Sequence, residues 1–148
     1  MKTLHELKPL ILKWAHDKDL LKNENANYQY LKLIEEVGET AKAILEKNNE
    51  KAIDGIGDIF VVLVIYYEQT GQCVSFDFFK PQKPTDYGTC LYGIIGHARN
   101  EFQNENVFDW LNDLAFWLGY DLTECANIAW NEIKDRTGKT VNGTFIKN

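Results

Sequence analysis

The sequence is short of everything a disulfide scaffold, a membrane anchor or a nucleic-acid face would need. Its three cysteines, Cys73, Cys90 and Cys125, are an odd number with no Cys-x-x-Cys spacing. That argues against a disulfide framework and a zinc ribbon, and it suits reduced thiols in a cytosol, each read as a small core residue. The longest apolar run, Ile59 to Tyr67, is nine residues, about half the length a bilayer-spanning helix requires. It reads as a buried helix segment. The opening MKTLHELKPLILKW has only short apolar stretches, broken by Lys8, Pro9 and Lys13, with no small-residue cleavage site after them, so no signal peptide is expected. Positive charge is scarce as well: 16 Lys and Arg against 22 Asp and Glu leave a net charge of −6. Tracking a phosphate backbone depends on clustered cations, so a nucleic-acid polymer is not the expected partner. A small phosphorylated ligand stays open, because a pocket or a metal ion reverses the field locally.

Several catalytic signatures are missing too. There is no Gly-x-Ser-x-Gly, no cysteine with a nearby histidine and no His-x-x-x-His pair, which leaves nucleophilic and zinc hydrolases without a basis. None of His5, His16 and His97 has a Glu three residues before it, so a di-iron carboxylate bundle is excluded. Gly138-Lys139-Thr140 matches the end of a phosphate-binding P-loop, but the first glycine of that loop would fall on Ile133.

What remains is helical. The 148 residues are 45% hydrophobic and 13% aromatic, enough for one core and one domain. Apolar positions recur at helical spacing nearly throughout, and no stretch alternates apolar with polar. The predicted class is all-α. A first helix spans about residues 4 to 20, with Leu4, Leu7, Ile11, Trp14 and Ala15 on one face. A second runs from about 27 to 47 and carries Leu31, Ile34, Val37, Ala41, Ile44 and Leu45 inward. The third, about 50 to 69, follows a short turn and is expected antiparallel to the second. Residues 71 to 88 hold Pro81, Pro84 and Thr85-Asp86-Tyr87-Gly88 and read as a long connection. Further helices are predicted at about 89 to 103, 107 to 118 and 122 to 136, ending in a polar tail, GKTVNGTFIKN.

Chemistry concentrates on the second and third helices. Glu35, Glu36 and Glu39 fall within an arc of about 100°. Asp54 and Asp58, at i and i+4, project together from the next helix. Four or five carboxylates aimed at one cleft repel one another, and a divalent cation is the obvious neutraliser. Oxygen-only ligation suits Mg²⁺, with Mn²⁺ as the alternative. The bland alternative is a solvated face, with Lys32, Lys42 and Lys47 as helical partners of the glutamates. Asp58, which abuts the fully apolar run, weakens that alternative, because a charge beside a buried segment needs a partner.

The stretch Trp14-Ala15, then Gln29-x-x-Lys32-Leu33-x-Glu35-Glu36-x-Gly38-Glu39, then Gly57-Asp58-Ile59 resembles the MazG-like all-α nucleoside triphosphate pyrophosphohydrolases, in particular their short bacteriophage-type members. The likeness is firm over 14 to 68 and looser over 127 to 145, and no family motif falls between 71 and 118. It implies a helical bundle assembled as a homodimer or homotetramer in a bacterial or phage-infected host cytosol. It also implies Mg²⁺-dependent cleavage of a nucleoside triphosphate between the α- and β-phosphates. Carried over by position, Glu36, Glu39 and Asp58 are metal ligands, and Glu35 either ligates or orients the attacking water. The family commonly has a Glu where this chain has Gly55, and Asp54 is the expected replacement. Basic residues should meet the remaining phosphate charge, the candidates being Lys32, Lys134, Arg136 and Lys139. Trp14 is the candidate to stack on a base, and Gln29 or Asn131 to read its edge. The rival expectation is a catalytically inactive, nucleotide-binding or regulatory bundle of the same fold. Gly55 is the feature that favours it.

Overall fold

A computed structural model describes residues 1–99 and 106–148. Six helices run in chain order: α1 (Leu4–Asp17), α2 (Ala26–Leu45), α3 (Asn49–Thr70), α4 (Tyr87–Ala98), α5 (Val107–Trp117) and α6 (Leu122–Ile133). They are followed by an antiparallel pair, β1 (Gly138–Val141) and β2 (Thr144–Lys147). The predicted fourth helix at 89 to 103 therefore starts earlier and is seen to Ala98, its last four predicted positions lying outside the described residues.

Local chemistry sets the helix ends. Thr3 and Glu6 form a reciprocal capping box on α1. Asn48, Asp86, Asn106 and Asp121 each accept a backbone N–H at the first turn of α3, α4, α5 and α6. Gly71, at φ 70°, closes α3 in the left-handed conformation that glycine adopts without strain.

Helix α3 is the axis of the molecule and packs against α1, α2, α5 and α6. Every residue from Ile59 to Tyr67 is buried, as the uninterrupted apolar run requires of a helix without a solvent face. The 72–86 connection is anchored by Phe76, which is buried against Phe60 and Phe108 at ring-centroid distances of 5.5 and 5.3 Å. Among the described residues no helix is long and apolar enough to cross a membrane.

Three expectations need correction. The inward face of α2 consists of Gln29, Leu33, Glu36, Val37, Thr40 and Ala43, whereas Leu31, Ile34 and Leu45 are exposed. Counting only apolar residues misplaced that face because three of its inward positions, Gln29, Glu36 and Thr40, are polar. Cys73 is exposed, while Cys90 and Cys125 are buried. The tail is not an irregular extension but a hairpin. Asn142 and Gly143 sit at φ 51° and 83°, the paired positive values of a two-residue turn in which Asn-Gly is favoured.

Helices α2 and α3 touch where a side chain is missing. A Cβ at Gly55 would lie 2.2 Å from Thr40 Oγ1, and one at Gly57 would lie 2.2 Å from the carbonyl oxygen of Cys125 on α6. The two glycines therefore let α3 seat closely on α2 and α6 while staying helical. Gly55→Ala should destabilise the fold by about 1–3 kcal/mol, the usual cost of overpacking a tight contact. Urea denaturation would measure it, and Gly55→Ala combined with Thr40→Ala should recover part of the loss.

Candidate active site

Asp58 projects from the middle of α3 toward the inward side of α2, where Glu36 is buried at 6% exposure. One oxygen of Glu36, Oε1, lies 3.4 Å from Lys32 Nζ one helical turn away. The other, Oε2, is buried without a hydrogen-bond partner. Asp58 makes no hydrogen bond or salt bridge among the described residues. A buried carboxylate oxygen without a partner is costly, and here it faces the same space as a second, half-buried carboxylate.

That space is a cavity of about 290 Å³. Glu36, Asp58 and Lys32 share its wall with Arg136 and Lys147, and Trp14, Tyr28, Phe145, Ile65 and Ile133 form its apolar side. Gln29 also lines it. Its Nε2 donates to the carbonyl oxygen of Val62 at 3.3 Å, which holds the amide in place. The hairpin supplies the last wall. Thr140 Oγ1 donates to the Lys18 carbonyl at 2.7 Å, and Phe145 stands edge-on to Trp14 with centroids 5.0 Å apart. The period of two along β2 then puts Lys147 on the same face as Phe145.

On its other side Asp58 lines a second hollow, together with Glu39, Asp54, Glu132, Lys42 and Gly55. Asp58 is thus shared between a mixed cationic and aromatic cavity and an acidic one. Burial pushes the Asp58 carboxyl up to about 7, helped by the negative charges of Glu36, Glu132 and Asp54 and opposed by Arg136. Burial also raises Glu36, against the pull of Lys32. Asp54 is raised by burial and by Glu50. Lys32 stays above the ordinary lysine range: its partial burial works the other way, but Glu35 and Glu36 outweigh it.

The structure brings together Trp14, Gln29, Lys32, Glu36, Asp58 and Arg136 in the first cavity and Glu39, Asp54 and Asp58 in the second. Glu35 lines neither; it lies on the outer face of α2, paired with Lys32. Asn131 is separated from Gln29 and lines a groove with Met1, Lys2, Asn127 and Trp130. Lys134 and Lys139 are exposed and line neither cavity. Glu132, Lys147, Phe145 and Tyr28 went unread in the sequence. Asn142-Gly143 was the available signal for the last three, since a hairpin there folds the tail back onto α1 and α2.

Among the described residues no three carboxyl, histidine or cysteine side chains converge closely enough to complete a metal shell. The donor set fits a cation that keeps most of its shell as water and phosphate oxygen. That is the habit of Mg²⁺, which borrows one or two carboxylates. The orphaned Glu36 Oε2 and the carboxylate of Asp58, which lines both hollows, are the oxygens available to it.

No protein-family model matches the chain, and no solved structure matches it. An uncharacterized 18.2 kDa protein from the rep-hol intergenic region of Haemophilus phage HP1 is 36% identical over 69 residues, 47% of this chain and 42% of that protein. The chain therefore spans less than half the length of this relative.

The elevated Asp58 carboxyl makes stability depend on pH. Folded Asp58 holds its proton up to about 7, whereas the unfolded chain releases it near 3.8. The folded state thus binds more protons between those values, and this contribution is full at low pH and lost as pH rises through 7. Asp58→Asn keeps a neutral group at every pH. Relative to it, the wild type should melt progressively lower as pH rises from 5 to 8, followed by circular dichroism. A constant difference would show that Asp58 ionises as it does in the unfolded chain.

Proposed function

We propose that this protein is a Mg²⁺-dependent nucleoside triphosphate pyrophosphohydrolase, cleaving between the α- and β-phosphates to give a monophosphate and pyrophosphate. The observation that carries the reading is the buried Glu36, whose Oε2 has no hydrogen-bond partner, beside the half-buried Asp58, both facing a cavity whose other walls are cationic and aromatic. A triphosphate matches that division. Trp14, Tyr28 and Phe145 give the flat apolar surface a nucleobase requires, and Gln29 offers a fixed amide to its edge. Lys32, Arg136 and Lys147 face phosphate oxygens, with Arg136 able to hold two at once.

Bound Mg²⁺ would polarise the phosphorus oxygens and lower the pKa of a coordinated water. Glu36 and Asp58 would hold it from the first cavity, with Glu39 and Asp54 approaching from the acidic hollow. Without metal the Asp58 carboxyl is held near 7, as expected of a ligand position crowded by other acids. The metal's arrival would itself draw that proton off. Glu35 faces solvent, which favours Glu36 and Asp58 over it for the central role. The phage relative accords with the phage-type resemblance without assigning chemistry.

One observation favours the rival reading of nucleotide binding without turnover. Gly55 cannot carry the family's carboxylate here, because its place is filled by Thr40. The site then depends on Asp54 from one residue earlier.

Product analysis separates the two. Incubation with a panel of ribo- and deoxynucleoside triphosphates and Mg²⁺ should release pyrophosphate and a monophosphate, with turnover falling at least a hundredfold in Glu36→Gln, Glu39→Gln and Asp54→Asn. Nucleotide binding without release from any substrate would establish the inactive module. Undiminished turnover in Glu36→Gln would remove the assigned site.

A further inference from the structure

Lys32 stands between two carboxylates in very different surroundings. At 100° per residue, Glu36 lies about 40° to one side of it around α2 and Glu35 about 60° to the other. The ammonium is ion-paired with Oε1 of Glu35 and lies 3.4 Å from Oε1 of Glu36. The side chain of Glu35 is 54% exposed, whereas that of Glu36 is 8% exposed. Among the described residues neither glutamate has another ion-pair partner.

The reading of Glu36 as a cation ligand, on which this inference rests, sets Lys32 against the cation. A divalent ion at the orphaned Oε2 would share one carboxylate with an ammonium already held at Oε1, and two cations so close repel each other. Of the groups involved only the lysine is free to move. Its charge rides on a flexible four-carbon stem and its side chain is 46% exposed, while Glu36 is enclosed. On the outer side Glu35 offers it a second anion without any change in the backbone.

We propose that Lys32 is a displaceable counter-cation for Glu36: it neutralises that carboxylate before a divalent cation binds, and Glu35 takes it over when the cation arrives. Glu35 is then a positioning residue. It lines neither hollow, yet it decides where the ammonium rests once Glu36 is engaged. Withdrawn in this way, Lys32 stays beside the cavity that it lines, within reach of an arriving phosphate oxygen. The two adjacent glutamates thereby have separate tasks, the buried one toward the metal and the exposed one toward the lysine.

Binding of Mn²⁺ to the full chain, followed through the electron paramagnetic resonance signal of the free ion, tests this without turnover. Lys32→Met should bind Mn²⁺ about tenfold more tightly than the wild type, an ordinary size for coupling between two sites. Lys32→Gln, which keeps a hydrogen-bond donor for Glu36 but not the charge, should do the same. Glu35→Gln should weaken binding about fivefold, because Lys32 is left with Glu36 as its partner. The two effects should not add: in a Lys32→Met background, Glu35→Gln should change the Kd by less than about twofold. Glu36→Gln tells this exchange apart from the site itself. If Glu36→Gln loses Mn²⁺ while both Lys32 variants bind it no more tightly than the wild type, the exchange is overturned and the site stands. Equal weakening by Glu35→Gln with and without Lys32 would also overturn the exchange, since Glu35 would then act through its charge alone. Mn²⁺ held as tightly by Glu36→Gln as by the wild type, or by none of these proteins, would remove the site and the exchange together.

Discussion

A buried glutamate with one unsatisfied oxygen, Glu36 on α2, facing a half-buried aspartate, Asp58 on α3, is the constraint around which the rest of this molecule is arranged. Each would be more stable in water. Their confinement follows from the close seating of α3 on α2, which Gly55 permits by leaving room for Thr40. Thr40 in turn donates to the Glu36 carbonyl at 2.8 Å, so the contact that brings the helices together also steadies the backbone behind the acid. The unfavourable electrostatics are held in place by the apolar half of α3, buried on all sides from Ile59 to Tyr67. Strain of this kind, over-determined by surrounding packing, is characteristic of sites that handle charge.

The remaining elements serve that pair in different ways. Helix α6 brings Glu132, and the turn that follows it brings Arg136, toward Asp58 with opposite effects on its proton. The hairpin turns a cleft between helices into a cavity with an aromatic wall. Helices α4 and α5, with the strap that precedes them, line neither hollow at Asp58. The strap and α5 cover the far half of α3 with Phe76 and Phe108, while α4 packs on α2 and α5. Among the described residues, the middle of the chain belongs to the core and lines neither hollow.

Much of this was legible in the sequence because helix periodicity and i, i+4 spacing are local. The antiparallel α2–α3 pair and the buried run follow from residues one or two turns apart, whereas the single acidic cleft that spacing suggested is divided, with Glu36 and Asp58 in one hollow, Glu39, Asp54 and Asp58 in the other and Glu35 in neither. What could not be read depended on distance in the chain. The inward direction of α2 was misjudged because a buried Gln29 and Glu36 look like surface residues, whereas exposed Leu31 and Ile34 look like core. Lys147 and Phe145 reach the site only through a two-residue turn and its docking on α1. Asn131 and Arg136, five residues apart, part company because α6 ends at Ile133.

The most direct test of the central claim is a magnesium titration of the melting temperature at pH 8, where Asp58 is ionised. A ligand that binds only the folded state raises stability with the logarithm of its concentration once above its Kd. The wild type should therefore melt steadily higher with Mg²⁺, whereas potassium at matched ionic strength should give no such rise and Glu36→Gln should lose most of it. A melting temperature indifferent to Mg²⁺, or a rise that persists undiminished in Glu36→Gln, would contradict the assignment of these two carboxylates to a cation.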